Sequence, residues 1–204
     1  MPLGAPLSTF SLAPRRTVLA DRVLPRSLAV DAGLVLAGAA LTAGLAQIAI
    51  PLWPVPITGQ TLAVLLVGAS LGAVRGATAM VVYALAGLIG LPVYSDHTAG
   101  AAVLLGPTGG YILGFVVAAA LTGWLAQRRW ERRFVGGMLA FVAGSVVVFL
   151  VGLPWLKLSL GLTWPQTLAG GLYPFIVGGI IKAVIAALVL RGAWALVQRA
   201  DRSK

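Results

Sequence analysis

The chain is expected to fold as an all-α integral membrane protein, a six-helix transmembrane bundle with both termini cytoplasmic. Three observations predict this. Of 204 residues, 59% are hydrophobic and only 10% charged, and the mean hydropathy is +0.98, far more apolar than a soluble domain. Apolar runs near the length needed to cross a bilayer, about 20 residues, recur between charged or proline-rich breaks. The basic residues gather in alternate connections, as they do on the cytoplasmic side of a membrane.

Residues 1–27 are expected to form a disordered basic cytoplasmic tail. Pro2, Pro6, Pro14 and Pro25 interrupt this segment, which lacks the long apolar core of a signal peptide. A membrane domain at 28–198 follows, with helices expected at about 29–50, 60–74, 76–91, 108–127, 134–153 and 171–197. The second and third are short and read as a tight hairpin, its turn pinned by Arg75. A second basic tail closes the chain at 199–204.

Topology follows from charge. Arg15, Arg16, Arg22 and Arg26 precede the first helix; Arg75 sits at the second connection; Arg128, Arg129, Arg132 and Arg133 fill the fourth; Arg191, Arg199, Arg202 and Lys204 lie at the end. The other three connections carry Lys157 alone. The net charge of +10 is therefore a topology signal, and with no soluble surface to carry a basic patch, nucleic acid is excluded as a partner.

Other classes are excluded by what the chain lacks. There is no cysteine and one histidine, His97, so thiolate and multi-histidine metal sites are ruled out. No Gly-x4-Gly-Lys-Ser/Thr loop occurs, so the chain cannot use ATP in that manner. Asp96 and His97 adjoin, but no nucleophile elbow or His-Glu-x-x-His helix accompanies them, and they read as an exposed loop pair rather than catalytic groups. No cofactor is implied.

Lys182 stands out as the only charge in the apolar run from about Gly170 to Leu190. A cation at that depth costs roughly 2.5–3.5 kcal/mol on insertion scales and marks a ligand or ion pathway. The five acids, Asp21, Asp31, Asp96, Glu131 and Asp201, all lie outside this span. A lysine without an internal acid calls for an anion supplied by a ligand.

Two loops on the expected outer side are rich in prolines, aromatics and hydroxyls. Pro51, Pro54 and Pro56 stiffen the first, and Trp53 there is either a headgroup anchor or a ligand wall. In Gly106-Pro-Thr-Gly-Gly110, Thr108 can cap the next helix. Gly109 and Gly110 either expose amides to a carboxylate at a positive helix end or form a packing seam. On the first helix, small residues recur at four-residue spacing, Gly33 with Ala37, Ala39 with Ala43, Ala40 with Gly44. Such faces serve either internal packing or a membrane partner.

Five segments in order, Pro54-Val-Pro-Ile-Thr-Gly-Gln-Thr-Leu62, Gly87-Leu-Ile-Gly-Leu-Pro-Val93, Leu105-Gly-Pro-Thr-Gly-Gly-Tyr-Ile-Leu-Gly-Phe115, Gly152-Leu-Pro-Trp155 and Tyr173-Pro-Phe-Ile-Val-Gly-Gly-Ile-Ile-Lys182, resemble the BioY family. Its members are the biotin-specific substrate-binding S components of energy-coupling-factor (ECF) transporters. The resemblance spans about Leu34 to Leu190. It implies a six-helix, multi-pass protein of the cell (plasma) membrane that captures biotin with high affinity beneath its outer loops and has no enzymatic activity. The implied partners are a transmembrane coupling protein and two ATPase subunits, beside membrane lipid. S components dock on the coupling protein through a small-residue face, expected here at Ala39 and Ala43.

The family typically carries an aspartate three residues before its lysine, both touching biotin. Lys182 matches the lysine, whereas Gly179 stands where the aspartate is expected. The resemblance then leaves Gln60, Thr58 and Thr108 to serve the ureido group, with Gly109 and Gly110 offering backbone amides. Tyr94, Tyr111, Trp53 and Trp155 are available to stack on the rings. The change at Gly179 opens an alternative ligand, a biotin-like precursor or other small carboxylate. A self-sufficient secondary transporter is the other alternative, though no half-to-half repeat is visible.

Overall fold

The computed structural model describes residues 18–130 and 133–202. Arg15, Arg16, Glu131, Arg132 and Lys204 of the charge pattern, and the stretch 1–17 of the expected tail, lie outside the described residues. The chain is mostly helical: α1 (Leu19–Val23), α2 (Leu28–Ala46), α3 (Gln60–Leu71), α4 (Ala73–Leu88), α5 (Ala101–Leu105), α6 (Gly109–Gln127), α7 (Phe134–Leu160), α8 (Trp164–Gly171) and α9 (Tyr173–Arg202). A hairpin of two-residue strands, β1 (Ala49–Ile50) antiparallel to β2 (Ile57–Thr58), sits between α2 and α3.

Among the described residues, four helical segments are long and apolar enough to cross a membrane: α2, α6, α7 and the stretch Trp164–Asp201, which runs from α8 through most of α9. α3 and α4 are apolar but shorter, with 12 and 16 residues. At 1.5 Å per residue they reach about 18 and 24 Å, against a hydrocarbon thickness near 30 Å.

Several boundaries depart from the sequence expectation for local reasons. Residues 18–24 are not part of a disordered tail: α1 folds against α3 and α9, with Val18 and Ala20 buried. Arg75 does not pin the α3–α4 turn. That turn is Gly72 alone, at φ 90°, a conformation natural to glycine, and Arg75 lies in the first turn of α4. The last two turns of α7 run through Pro154, which reads in sequence as a break but is tolerated where neighbouring helices satisfy the freed backbone. Gly161, at φ 65°, ends α7 instead. α8 then starts on a capping box in which Thr163 and Gln166 satisfy each other's backbone.

α6 is the central helix, with 67% of its span buried against 17–28% for the other three, and it packs on α3, α4 and α7. The main core joins Val64, Met80, Tyr83, Ile112, Phe115, Ala118 and Val148. A second cluster joins Leu65, Phe141, Ala183, Ala186 and Leu190. Outward-facing leucines and isoleucines, among them Leu36, Leu150, Leu158, Ile180 and Leu188, remain exposed, as a lipid-facing surface requires.

An ion-pair cluster ties the described chain ends together. Arg22 on α1 pairs with Asp201 on α9, and the Asp21 carboxylate, its side chain only 3% exposed, accepts from Arg26 at 2.7 Å and from Arg75. Arg75 also reaches Asp31 of α2 at 3.1 Å. Burial pushes the Asp21 carboxyl upward in pKa, but hydrogen bonds and charge from Arg26 and Arg75 outweigh that and hold it below the usual carboxylate range.

Candidate functional site

Away from that ion-pair cluster, the β-hairpin, the start of α3, the start of α6, mid-α7 and α9 enclose a cavity with about 530 Å³ of unfilled space, part of it open to the outside. Its polar wall is built where the hairpin delivers the chain into α3. Gly59 permits this junction because a Cβ there would sit 2.5 Å from the Leu45 carbonyl oxygen of α2. From α9, the Lys182 ammonium donates to the Thr58 carbonyl oxygen and to Thr61 Oγ1 at 3.0 Å. Thr58 Oγ1 donates to Gln60 Oε1 at 2.6 Å, and Gln60 Nε2 donates to the Tyr83 hydroxyl.

Lys182 therefore holds a charge against two neutral oxygens. The described acids are elsewhere: Asp21, Asp31 and Asp201 pair with arginines, and Asp96 is exposed. A half-buried cation with only neutral acceptors is an unspent electrostatic preference for an anion.

The opposite wall is aromatic and aliphatic. Tyr111 stands edge-on to Phe149, with centroids 6.1 Å apart, and stacks with Phe175 at 6.5 Å and 23°. The Tyr111 hydroxyl is fixed by donation to the Gly171 carbonyl oxygen at 3.0 Å, so the ring presents a rigid apolar surface. Phe115, Ile112 and Val148 continue that surface. Tyr94 closes one side; its ring meets Tyr83 edge-to-face at 5.6 Å and its hydroxyl donates to the Ala84 carbonyl oxygen at 2.6 Å. The arrangement suits a small ligand with a carboxylate at one end and a compact ring body.

The structure gathers Lys182, Thr58, Gln60, Thr108, Tyr111 and Tyr94 around this one cavity. It does not bring Gly109, Gly110 or Gly179 to its wall. A Cβ on Gly109 would lie 1.7 Å from the Leu104 carbonyl oxygen and one on Gly110 2.2 Å from Trp155 Cβ. Both glycines thus form a packing seam, α5 against α6 and α6 against α7, and the Gly109 amide donates to the Gly106 carbonyl oxygen at 3.1 Å. Gly179 borders open space, with nothing within 4 Å of a Cβ placed there. Thr108 occupies the N-cap position without capping, its hydroxyl donating back to the Val103 carbonyl oxygen at 3.3 Å. Trp53 is 79% exposed on the hairpin, and Trp155 spends its indole N–H on the Gly106 carbonyl oxygen at 2.9 Å.

The expected docking pair is also displaced. Ala39 is 8% exposed and belongs to the main core, against which Ala43 packs; the exposed small residues of α2 include Gly33, Ala37, Ala40 and Gly44. Sequence reasoning missed Thr61, Tyr83 and the phenylalanines. It also missed Gln47, whose amide donates to the Tyr94 carbonyl oxygen at 3.0 Å and accepts from the His97 amide at 3.0 Å, tethering the loop that carries Tyr94.

Residues 16–199 match the family model described as "BioY family". The chain belongs to the BioY family. It is 38% identical over 156 residues to the biotin transporter BioY2 of Lactococcus lactis subsp. cremoris, covering 76% of this chain and 85% of that protein. It is 38% identical over 144 residues to the biotin transporter BioY of Thermotoga maritima, covering 71% and 83%. In three dimensions it resembles the crystal structure of the S-component for biotin from an ECF-type ABC transporter, with a TM-score of 0.72, 26% identity and coverage of 82% of this chain and 93% of that one. This BioY chain is a multi-pass membrane protein, and its family is one of transporters.

Proposed function

We propose that this BioY chain captures biotin with high affinity in the Lys182 cavity and delivers it across the cell membrane as the S component of an ECF transporter, without enzymatic activity of its own. The observation that carries the reading is Lys182: a cation in a lipid-embedded helix, bonded only to Thr58 and Thr61, inside a cavity with an aromatic wall. The valerate carboxylate of biotin pairs with its ammonium, the fused rings lie against Tyr111 and Tyr94, and Thr58, Gln60 and Thr108 supply uncharged donors and acceptors to the ureido group. Gly179 places no side chain there, so this chain recognises the ring through neutral groups. The same substitution keeps a biotin-like precursor such as desthiobiotin as the second ligand to test.

We further propose six membrane-spanning helices, α2, α3, α4, α6, α7 and α9, with both termini cytoplasmic and a membrane domain at 28–198 whose last helix, α9, continues through the basic stretch to Arg202. The clustering of Arg22, Arg26 and Arg75 with the end of α9 supports that sidedness. The coupling protein, accompanied by two ATPase subunits, docks on the outward small-residue face of α2 at Gly33, Ala37, Ala40 and Gly44, where a partner helix can approach closely. Calorimetric titration of biotin into the purified chain is expected to give one site per chain. Absence of binding to both biotin and desthiobiotin refutes the reading.

A further inference from the structure

The handover from α6 to α7 carries a groove separate from the ligand cavity. Among the described residues it is lined by Arg128, Arg129, Trp130, Arg133, Val135 and Leu139, around about 890 Å³ of unfilled space that is partly open to the outside. All three arginines are exposed, and the Arg128 guanidinium lies 3.2 Å from the centroid of the Trp124 ring. An indole under a guanidinium, beside a second exposed indole at Trp130, is the chemistry of the membrane–water boundary. The first turn of α7 forms part of the wall, Arg133 being its N-cap, so the positive end of that helix adds to the field.

The groove opens onto apolar surface. Val135, Leu139, Val142, Val146 and Leu150 are 68%, 54%, 42%, 48% and 67% exposed, and their spacing of four, three, four and four residues places them on one face of α7. A cluster of guanidiniums at the boundary therefore continues into an outward apolar stripe along a membrane span. We propose that this groove binds an anionic phospholipid, its phosphate among Arg128, Arg129 and Arg133 and an acyl chain along the α7 stripe. Guanidinium forks match phosphate oxygens in pairs, and basic pockets of this kind at helix ends hold anionic headgroups. Positive charge serving topology alone does not require the groove, and it does not discriminate between headgroups.

The test is native mass spectrometry of the full-length, delipidated protein with phosphatidylglycerol or phosphatidylcholine of identical acyl chains. Phosphatidylglycerol is expected to bind preferentially. The triple variant Arg128→Gln, Arg129→Gln, Arg133→Gln is expected to weaken it on the order of 100-fold, about fivefold per guanidinium, while Arg191→Gln with Arg199→Gln leaves it unchanged. Should the triple variant fail to fold, Arg133→Gln alone is expected to weaken binding by about fivefold, and Leu139→Gln alone is expected to weaken it as well. Equal binding of the two lipids, or equal loss in the Arg191 and Arg199 control, overturns the proposal. So does displacement of the lipid by millimolar inorganic phosphate, which would make this a free-anion site, or by polyglutamate, which would make it a site for an acidic protein segment.

Discussion

Replacing Lys182 by methionine keeps the unbranched stem out to Cε and removes the ammonium, so the change isolates the electrostatic part of ligand capture. In the free protein the ammonium is held by the Thr58 carbonyl and Thr61 Oγ1. Ligand binding exchanges these neutral contacts for a carboxylate, and a hydrogen bond to a charged group contributes about 1.5–3 kcal/mol net. Removing the ammonium leaves the ligand carboxylate in the cavity with only hydroxyl and amide partners. The expected loss is therefore about 2–3 kcal/mol, or roughly 30- to 150-fold in Kd. Calorimetry of biotin and of biotin methyl ester against wild type and Lys182→Met separates the carboxylate from the rings. The variant is expected to lose affinity for biotin but to bind the ester about as wild type does. Because a desolvated cation has been removed, thermal stability is expected to hold or rise. Equal losses for acid and ester would show that Lys182 acts through cavity shape, and unchanged biotin affinity would remove it from the site.

Other perturbations follow from the same geometry. Gly179→Asp meets nothing within 4 Å and sits one turn before Lys182; it is expected to fold with an unchanged melting temperature and to bind biotin at least as tightly, read by calorimetry and thermal denaturation. Gly110→Ala drives a Cβ to 2.2 Å from Trp155 Cβ and is expected to cost about 1–3 kcal/mol of stability, seen as a lower melting temperature with or without ligand. The depressed pKa of Asp21 makes its contribution fully present above the unfolded carboxylate value, near 3.9, and lost as pH falls through the lower folded value. The protection factor of the Leu24 amide, which donates to the Ala20 carbonyl oxygen at 3.0 Å, is accordingly expected to hold from neutrality down to about pH 4 and to fall below it, whereas Asp21→Asn lowers it already at neutral pH.

How much of this was legible in sequence depended on whether a residue's role is set by composition or by its neighbours. α2 and α6 emerged from uninterrupted apolar length, and Lys182 from being a charge where none belongs. α8 was missed although its Thr163-x-x-Gln166 box is a readable helix start, because it falls in the gap between the helices expected at 134–153 and 171–197. The tail around α1 was read as disordered because its anchors, Arg26 and Arg75 on Asp21, are contacts between distant residues that no local pattern encodes. Gly109 and Gly110 carry the same letters whether they seat a ligand or Trp155. On α2, alanine and glycine are so frequent that Ala39 with Ala43 could not be told from Gly33 with Ala37 until the packing showed which pair faces outward. Gln47 and Tyr83 carry no signal at all in isolation; their roles exist only through the hydrogen bonds they make.

The central claim is that the Lys182 cavity is the biotin site, and the most direct test is a structure of the chain with biotin bound. The account predicts biotin between Tyr111 and Tyr94 with its carboxylate within hydrogen-bond reach of Lys182 Nζ, about 2.7–3.2 Å. Biotin seated outside this cavity, or inside it with the carboxylate turned away from Lys182, would contradict it.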